Sequence, residues 1–224
     1  MQYRITDGIV QAVEVVLDQG EAMCTQSGGM AWMSDGLDLE SNVKGGFAKG
    51  LGRMFSGESL FMATYTARRP GATIAFGATV PGVIMPIDIS QGGLICQKGA
   101  FLCAEASVEL KIVFTKKISA GFFGGEGFIL QELAGRGMAF LEVDGGLVVK
   151  ELRPGEVLKV DTGNVFAFDK TVSYEIETVK GIKNVLFGGE GLFLTKLTGP
   201  GRVYLQTMNM AEFSGEIAKR LPAK

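Results

Sequence analysis

The pentapeptide Phe-Gly-Gly-Glu-Gly occurs twice in this chain, at 123–127 and 187–191, and a close relative, Phe55-Ser56-Gly57-Glu58-Ser59, precedes both. After each Glu comes a short apolar run, then a Gly-centred turn (Arg69-Pro70-Gly71, Gly135-Arg136-Gly137, Gly199-Pro200-Gly201), then a second run (Thr73 to Phe76, Met138 to Val143, Arg202 to Gln206). The turn glycine lies eleven residues past Glu126 and Glu190 but thirteen past Glu58, so the first copy carries a two-residue insertion. The stretches ahead of the acids match too. Gly20-Glu21-Ala22-Met23-Cys24, Gly92-Gly93-Leu94-Ile95-Cys96 and Gly155-Glu156-Val157-Leu158-Lys159 each open a run, and a further segment follows at Leu37 to Glu40, Val108 to Phe114 and Val172 to Thr178.

The spacing predicts three tandem β-units, 11–78, 84–147 and 148–208, with a basic Gly-rich insertion at 41–55 in the first and a tail at 209–224. Each unit is longer than the roughly 20 to 50 residues of ordinary solenoid repeats, so it reads as a small β-domain. A domain of that size buries only about 60% of the surface its unfolded chain exposes. The units are therefore expected to share cores or edges. Glycine, 33 of 224 residues, is about twice its usual share and falls between the apolar runs, the pattern of many tight turns between short strands. Ser173-Tyr174-Glu175-Ile176-Glu177 alternates apolar and charged positions, as a half-buried strand does. The chain reads as all-β.

A net charge of −2 and a pI near 5.4 supply no basic field to attract nucleic acid. The amino end lacks an apolar signal core and no apolar run approaches the ~18 residues of a membrane span, so a soluble cytoplasmic protein is expected. Cys24, Cys96 and Cys103 include no CxxC; Cys24 and Cys96 take the same place in the first two units, where the third has Lys159. They read as small strand residues in a reducing compartment, with zinc or redox chemistry as the alternative.

Histidine is absent from the sequence. That excludes His-based acid–base catalysis, Ser-His-Asp and Cys-His nucleophile pairs, and His-containing metal sites. Carboxylate pairs, Lys or Tyr chemistry or a bound cofactor would remain for an enzyme, and none leaves a motif. No cofactor, metal or catalytic residue is assigned. The glycine cluster 45–52 lacks the terminal GK[ST] of a phosphate loop, and 121–127 leads into a strand-like run, not a helix.

Two residue sets stand out as candidate sites. Glu58, Glu126 and Glu190, flanked by glycines or serine at matching positions, read either as turn acids that tie neighbouring units together or as a ligand site recurring around a symmetric assembly. Lys44, Lys49 and Arg53 form a basic loop in the first unit, with Lys116, Lys117, Lys180 and Lys183 ahead of the later acids. Val43, Phe47, Leu51 and Phe55 recur every four residues beside those cations, which suits an amphipathic surface helix, yet Gly45, Gly46, Gly50 and Gly52 interrupt it. A glycine-rich loop ordered on assembly is the other reading. In the tail, Asn209 and Glu212 resemble a capping box, Phe213, Ile217 and Leu221 share a face, and Pro222 ends the pattern. That stripe is expected to rest on the body of the chain.

The segment from Lys44-Gly45-Gly46 to Gly57-Glu58-Ser59-Leu60-Phe61, with the later Phe-Gly-Gly-Glu-Gly copies, resembles the bacterial and archaeal relatives of a mitochondrial biogenesis protein, the altered-inheritance-of-mitochondria (AIM-twenty-four) family, and the likeness runs from about Val13 to Leu221. The resemblance implies a triplicated short double-stranded β-helix unit, similar to the trp RNA-binding attenuation protein, and a homotrimer in which nine units form a ring. It implies no assigned activity. The link of mitochondrial relatives to inner-membrane organisation suggests a scaffold. The attenuation protein's RNA and tryptophan sites have no matching motif in this chain. Three readings stay open: a ring-forming scaffold; a binding module for a small ligand, an anionic lipid surface or nucleic acid through the basic loops; and an enzyme.

Overall fold

The computed structural model describes residues 1–26, 28–41, 62–116, 128–178 and 193–220. These form nineteen strands and one helix. The first third holds β1 (Gln2–Ile5), β2 (Ala12–Leu17), β3 (Ala22–Gln26), β4 (Met30–Met33), β5 (Leu37–Ser41), β6 (Met62–Ala67) and β7 (Ala72–Gly77). The second holds β8 (Gly82–Asp88), β9 (Leu94–Gln97), β10 (Phe101–Glu105), β11 (Val108–Lys116), β12 (Phe128–Gly135) and β13 (Met138–Asp144). The last holds β14 (Leu147–Leu152), β15 (Val157–Asp161), β16 (Val165–Asp169), β17 (Ser173–Thr178), β18 (Phe193–Thr198) and β19 (Gly201–Gln206), then α1 (Met210–Ala218). The protein is all-β with a short carboxyl-terminal helix.

The strands form four sheets. Two are six-stranded, β5-β6-β3-β10-β13-β8 and β11-β12-β9-β16-β19-β14. Each strand of the second has a number six higher than its counterpart in the first, and each sheet joins strands of two successive thirds. The other two are a four-stranded sheet, β1-β2-β7-β4, and a three-stranded sheet, β15-β18-β17. The run β2-β7-β4 repeats the order of β8-β13-β10, while β15-β18-β17 repeats that of β9-β12-β11. The smaller sheets thus correspond to the two halves of a six-stranded one.

Period-two patterning sorts the strand faces. In β2, Val13, Val15 and Leu17 are buried while Val16 is exposed. Three cores result. The first gathers Val13, Val15, Leu17, Met23, Tyr65, Ile74 and Phe76 with Cys103 and Phe140 from the second third. The middle core holds Leu94, Cys96, Leu133, Leu141 and Val143 with Cys24 from the first third and Phe166, Ala167 and Tyr204 from the last. The final core holds Phe128, Leu130, Leu152, Val160, Phe168, Leu197 and Val203. Every core therefore draws on more than one third of the chain.

Buried polar side chains fasten the connections between thirds. The Glu142 carboxylate accepts the N–H groups of Thr79 at 2.6 Å and Val80 at 3.2 Å on the path from β7 to β8. Gln206 accepts the Asp144 N–H at 3.4 Å and donates to the Gly163 carbonyl at 2.9 Å. Gly135 turns at φ 94°, and a Cβ there would run into the Ser107 carbonyl oxygen. Only glycine fits that approach.

Two expectations need correction. Cys24 and Cys96 do not occupy the same place. Cys24 faces Thr64 and Ala104, whereas Cys96 faces Gln131 and Ala167, and the residue that Cys103 faces on β3 is Thr25. A slip of one residue turns a side chain to the opposite face of its strand, so the two thiols enter the middle core from different sheets. The described part of the helix stripe is also not buried against the chain: Phe213 and Ile217 are 39% and 46% exposed, and Leu221 lies outside the described residues. The core clusters are built mainly from strand residues, and α1 begins past the end of β19. Its start is as the sequence implies, with the Asn209 side chain accepting the Glu212 N–H at 3.4 Å.

Candidate functional site

Glu58, Glu126 and Glu190, and the basic set Lys44, Lys49 and Arg53, all lie outside the described residues. In the sequence each acid falls between two strands that pair with one another: β5 with β6, β11 with β12, and β17 with β18.

Among the described residues, two places are left incomplete by the sheet topology. β10 is paired on both sides, to β13 and β3, and β16 likewise to β19 and β9. Their counterpart β4 pairs with β7 alone. Conversely β3 and β9 are paired on both sides, and their counterpart β15 pairs with β18 alone. The open sides of β4 and β15 present unpaired backbone donors and acceptors, which proteins cover or close because they template further strand addition.

The open edge β4 is apolar. Trp32 is 48% exposed and Met33 43%. The indole Nε1 donates to Glu14 at 3.2 Å, which holds the ring against β2. A bulge sits between Met30 and Trp32 against β7, and the Ser34 hydroxyl beyond it accepts the Thr73 N–H at 2.9 Å. On the edge β15, Val157 is exposed and Val160 is buried in the final core. Lys159 contacts Glu177 at 2.7 Å and Lys196 contacts Glu175 at 3.6 Å. The Lys159 hydrogen bond holds the Glu177 carboxyl below its ordinary range.

The chemistry on offer elsewhere is muted. Burial pushes the Cys24 thiol up to about 11 and Cys96 to about 12, and Cys103 is also raised well above its ordinary value, so none is a ready thiolate. Asp144 is raised to about 6 by burial first and by the Glu142 charge second. The Glu142 oxygens are already engaged by Thr79 and Val80. No three His, Cys, Asp or Glu side chains among the described residues converge on a point where a metal could sit. No helix among them is long and apolar enough to cross a membrane.

Sequence reasoning passed over Trp32 and the β4 edge. One signal was available: Trp32 is the single tryptophan, standing after the bulge in β4 where β10 and β16 carry the small residues Cys103 and Ala167.

Comparison with known proteins sets this architecture in context. A family model described as mitochondrial biogenesis AIM24 matches residues 3–208. An uncharacterised protein of Streptococcus pyogenes serotype M6 is 26% identical over 219 residues, covering 94% of this chain and 86% of that protein. The crystal structure of a Streptococcus pyogenes protein solved by structural genomics superposes with a TM-score of 0.81 at 24% identity, covering 98% of this chain and 99% of the other. That likeness shows a shared fold.

Proposed function

The chain belongs to the mitochondrial biogenesis AIM24 family, and on that footing we propose that it is a non-catalytic structural protein that assembles with copies of itself into a closed ring. The units are 11–78, 84–147 and 148–208, each a short double-stranded β-helix like that of the attenuation protein. The constant offset between the two six-stranded sheets supports that division. Three copies of the chain form the ring, and the particle acts in the cytoplasm as a scaffold.

One observation carries the reading. Among the described residues, β4 and β15 are unlike edges that lack the second neighbour their counterparts have, and each lacks the kind of neighbour that the other has the topology to be. Contacts between unlike surfaces are heterologous, and they terminate only when the rotation closes. Closure also pairs these two edges, whereas an isolated chain leaves them open. The number three follows from the family resemblance.

Sedimentation equilibrium at micromolar concentration tests the reading. The expected particle has three times the 23.8 kDa chain mass. A stable, soluble monomer over that range overturns it.

A further inference from the structure

The junction between neighbouring thirds has one form in both six-stranded sheets. β10 lies antiparallel to β3 with Cys103 opposite Thr25, Ala104 opposite Cys24 and Glu105 opposite Met23. β16 lies antiparallel to β9 with Ala167 opposite Cys96, Phe168 opposite Ile95 and Asp169 opposite Leu94. On its far side each of these strands has a bulge, directly followed by Cys103 in β10 and Ala167 in β16. β4 has a bulge at the same point, directly followed by Trp32. The receiving strands align as well. Cys96 in β9 and Val160 in β15 each stand two residues before a 3-10 turn, at Lys98–Ala100 and Thr162–Asn164. Leu94 faces Leu133 across one pair and Leu158 faces Leu197 across the other.

The residue after the bulge has a distinctive destination. Cys103 belongs to the first core, beside Val13, Val15 and Phe76, although its strand is in the second third. Ala167 belongs to the middle core with Leu94 and Cys96, although its strand is in the last third. Both are 0% exposed. In each case the side chain enters the core of the preceding third. Trp32 has no preceding third within its own chain, and it stands in solvent. The final core, correspondingly, has no following third, and Leu158, Tyr174, Ile176 and Phe193 around it are only partly buried. An aromatic side chain buries roughly 150–250 Å², a match in kind for a core left open on one side.

Resting on the assembly reading above, we propose that β4 of one copy adds antiparallel to β15 of a second copy, with Trp32 opposite Val160, Met33 opposite Lys159 and Ser34 opposite Leu158, so that the Trp32 indole completes the second copy's final core. The joined sheet then has the six-stranded order of the other two. The partner is another copy of this chain, recognised by main-chain pairing along the edge and by one aromatic anchor.

Cross-linking locates the junction. Directly opposed residues of an antiparallel pair have Cβ atoms about 4.5–5.5 Å apart, within reach of a disulfide or a short bis-maleimide. The double variant Met33→Cys with Lys159→Cys is expected to give covalently linked dimers and trimers. Met33→Cys with Leu158→Cys, whose second side chain points to the opposite face, is expected to give about tenfold less. Three-chain particles without the first cross-link overturn this junction and leave the assembly reading standing; monomers overturn both. The wild type provides a reading free of engineered substitutions. Its single tryptophan should be several-fold less quenched by acrylamide in the assembled particle than after dissociation, and an indole equally quenchable in both states overturns the placement of Trp32.

Discussion

The hydroxyl of Thr25 donates to the Leu102 carbonyl at 2.6 Å in a place closed to water, and so fastens the first third of the chain to the second. Thr25→Val keeps the shape and removes the donor. A loss of about 1–2 kcal/mol is expected, because the buried carbonyl loses its partner. Urea unfolding should show a lower midpoint with an unchanged slope.

Asp144 predicts an unusual pH dependence. Burial, followed by the Glu142 charge, raises its carboxyl from 3.8 to about 6. A carboxyl that holds its proton more tightly when folded makes stability fall as pH climbs from the unfolded value to the folded one, and the penalty is constant above that. Solvent screens part of the effect at this partly covered side chain, so about 1–2 kcal/mol is expected. Asp144→Asn should therefore match the wild type near pH 4 and exceed its stability at pH 7. Carboxyls held low by partners, such as Glu21 beside the amino terminus, act with the opposite sign but are common to both proteins and cancel in the difference. Equal pH profiles for the two proteins would count against the assignment.

Gln131 is fully buried on β12, and neither of its amide atoms has a hydrogen-bond partner among the described residues. Removing an unsatisfied polar group from an apolar site relieves its desolvation penalty. Gln131→Leu is expected to raise thermal stability, by about 1 kcal/mol, where most core substitutions lower it. A drop of that size would show that the amide contributes to the fold.

Two glycines should respond in opposite directions. Gly135 combines φ 94° with the Ser107 carbonyl in its way, and Gly135→Ala is expected to cost more than about 2 kcal/mol because both strain and clash are introduced. Gly215 lies within α1 with open space around a Cβ. Gly215→Ala should stabilise the helix by up to about 1 kcal/mol. Thermal melts of the two variants, shifted to opposite sides of the wild type, check both.

Local chemistry was legible in the sequence. The alternation in 173–177 became β17, with Tyr174 and Ile176 against the final core. Gly71, Gly137 and Gly201, which the sequence marks as turn residues, all have positive φ. Asn209 starts a helix whose first turn contains Glu212. Each of these depends on residues within a turn or two of one another, so their side chains announce them.

What the sequence determined by itself was the β class, the spacing of strands and turns, and the start of the carboxyl-terminal helix, because backbone preference and period-two patterning act over a few residues. Only the tertiary structure decided that six-stranded sheets take strands from two successive thirds, that Thr25 and not Cys24 stands where Cys96 does, and that Phe213, Ile217 and Trp32 face solvent. Register between distant strands is set by which faces meet across a shared core, and a slip of one residue reverses every face without altering composition or pattern. Exposure depends on what lies alongside, so it is the strand order that shows β4 and β15 without the second neighbour that their counterparts have among the described residues.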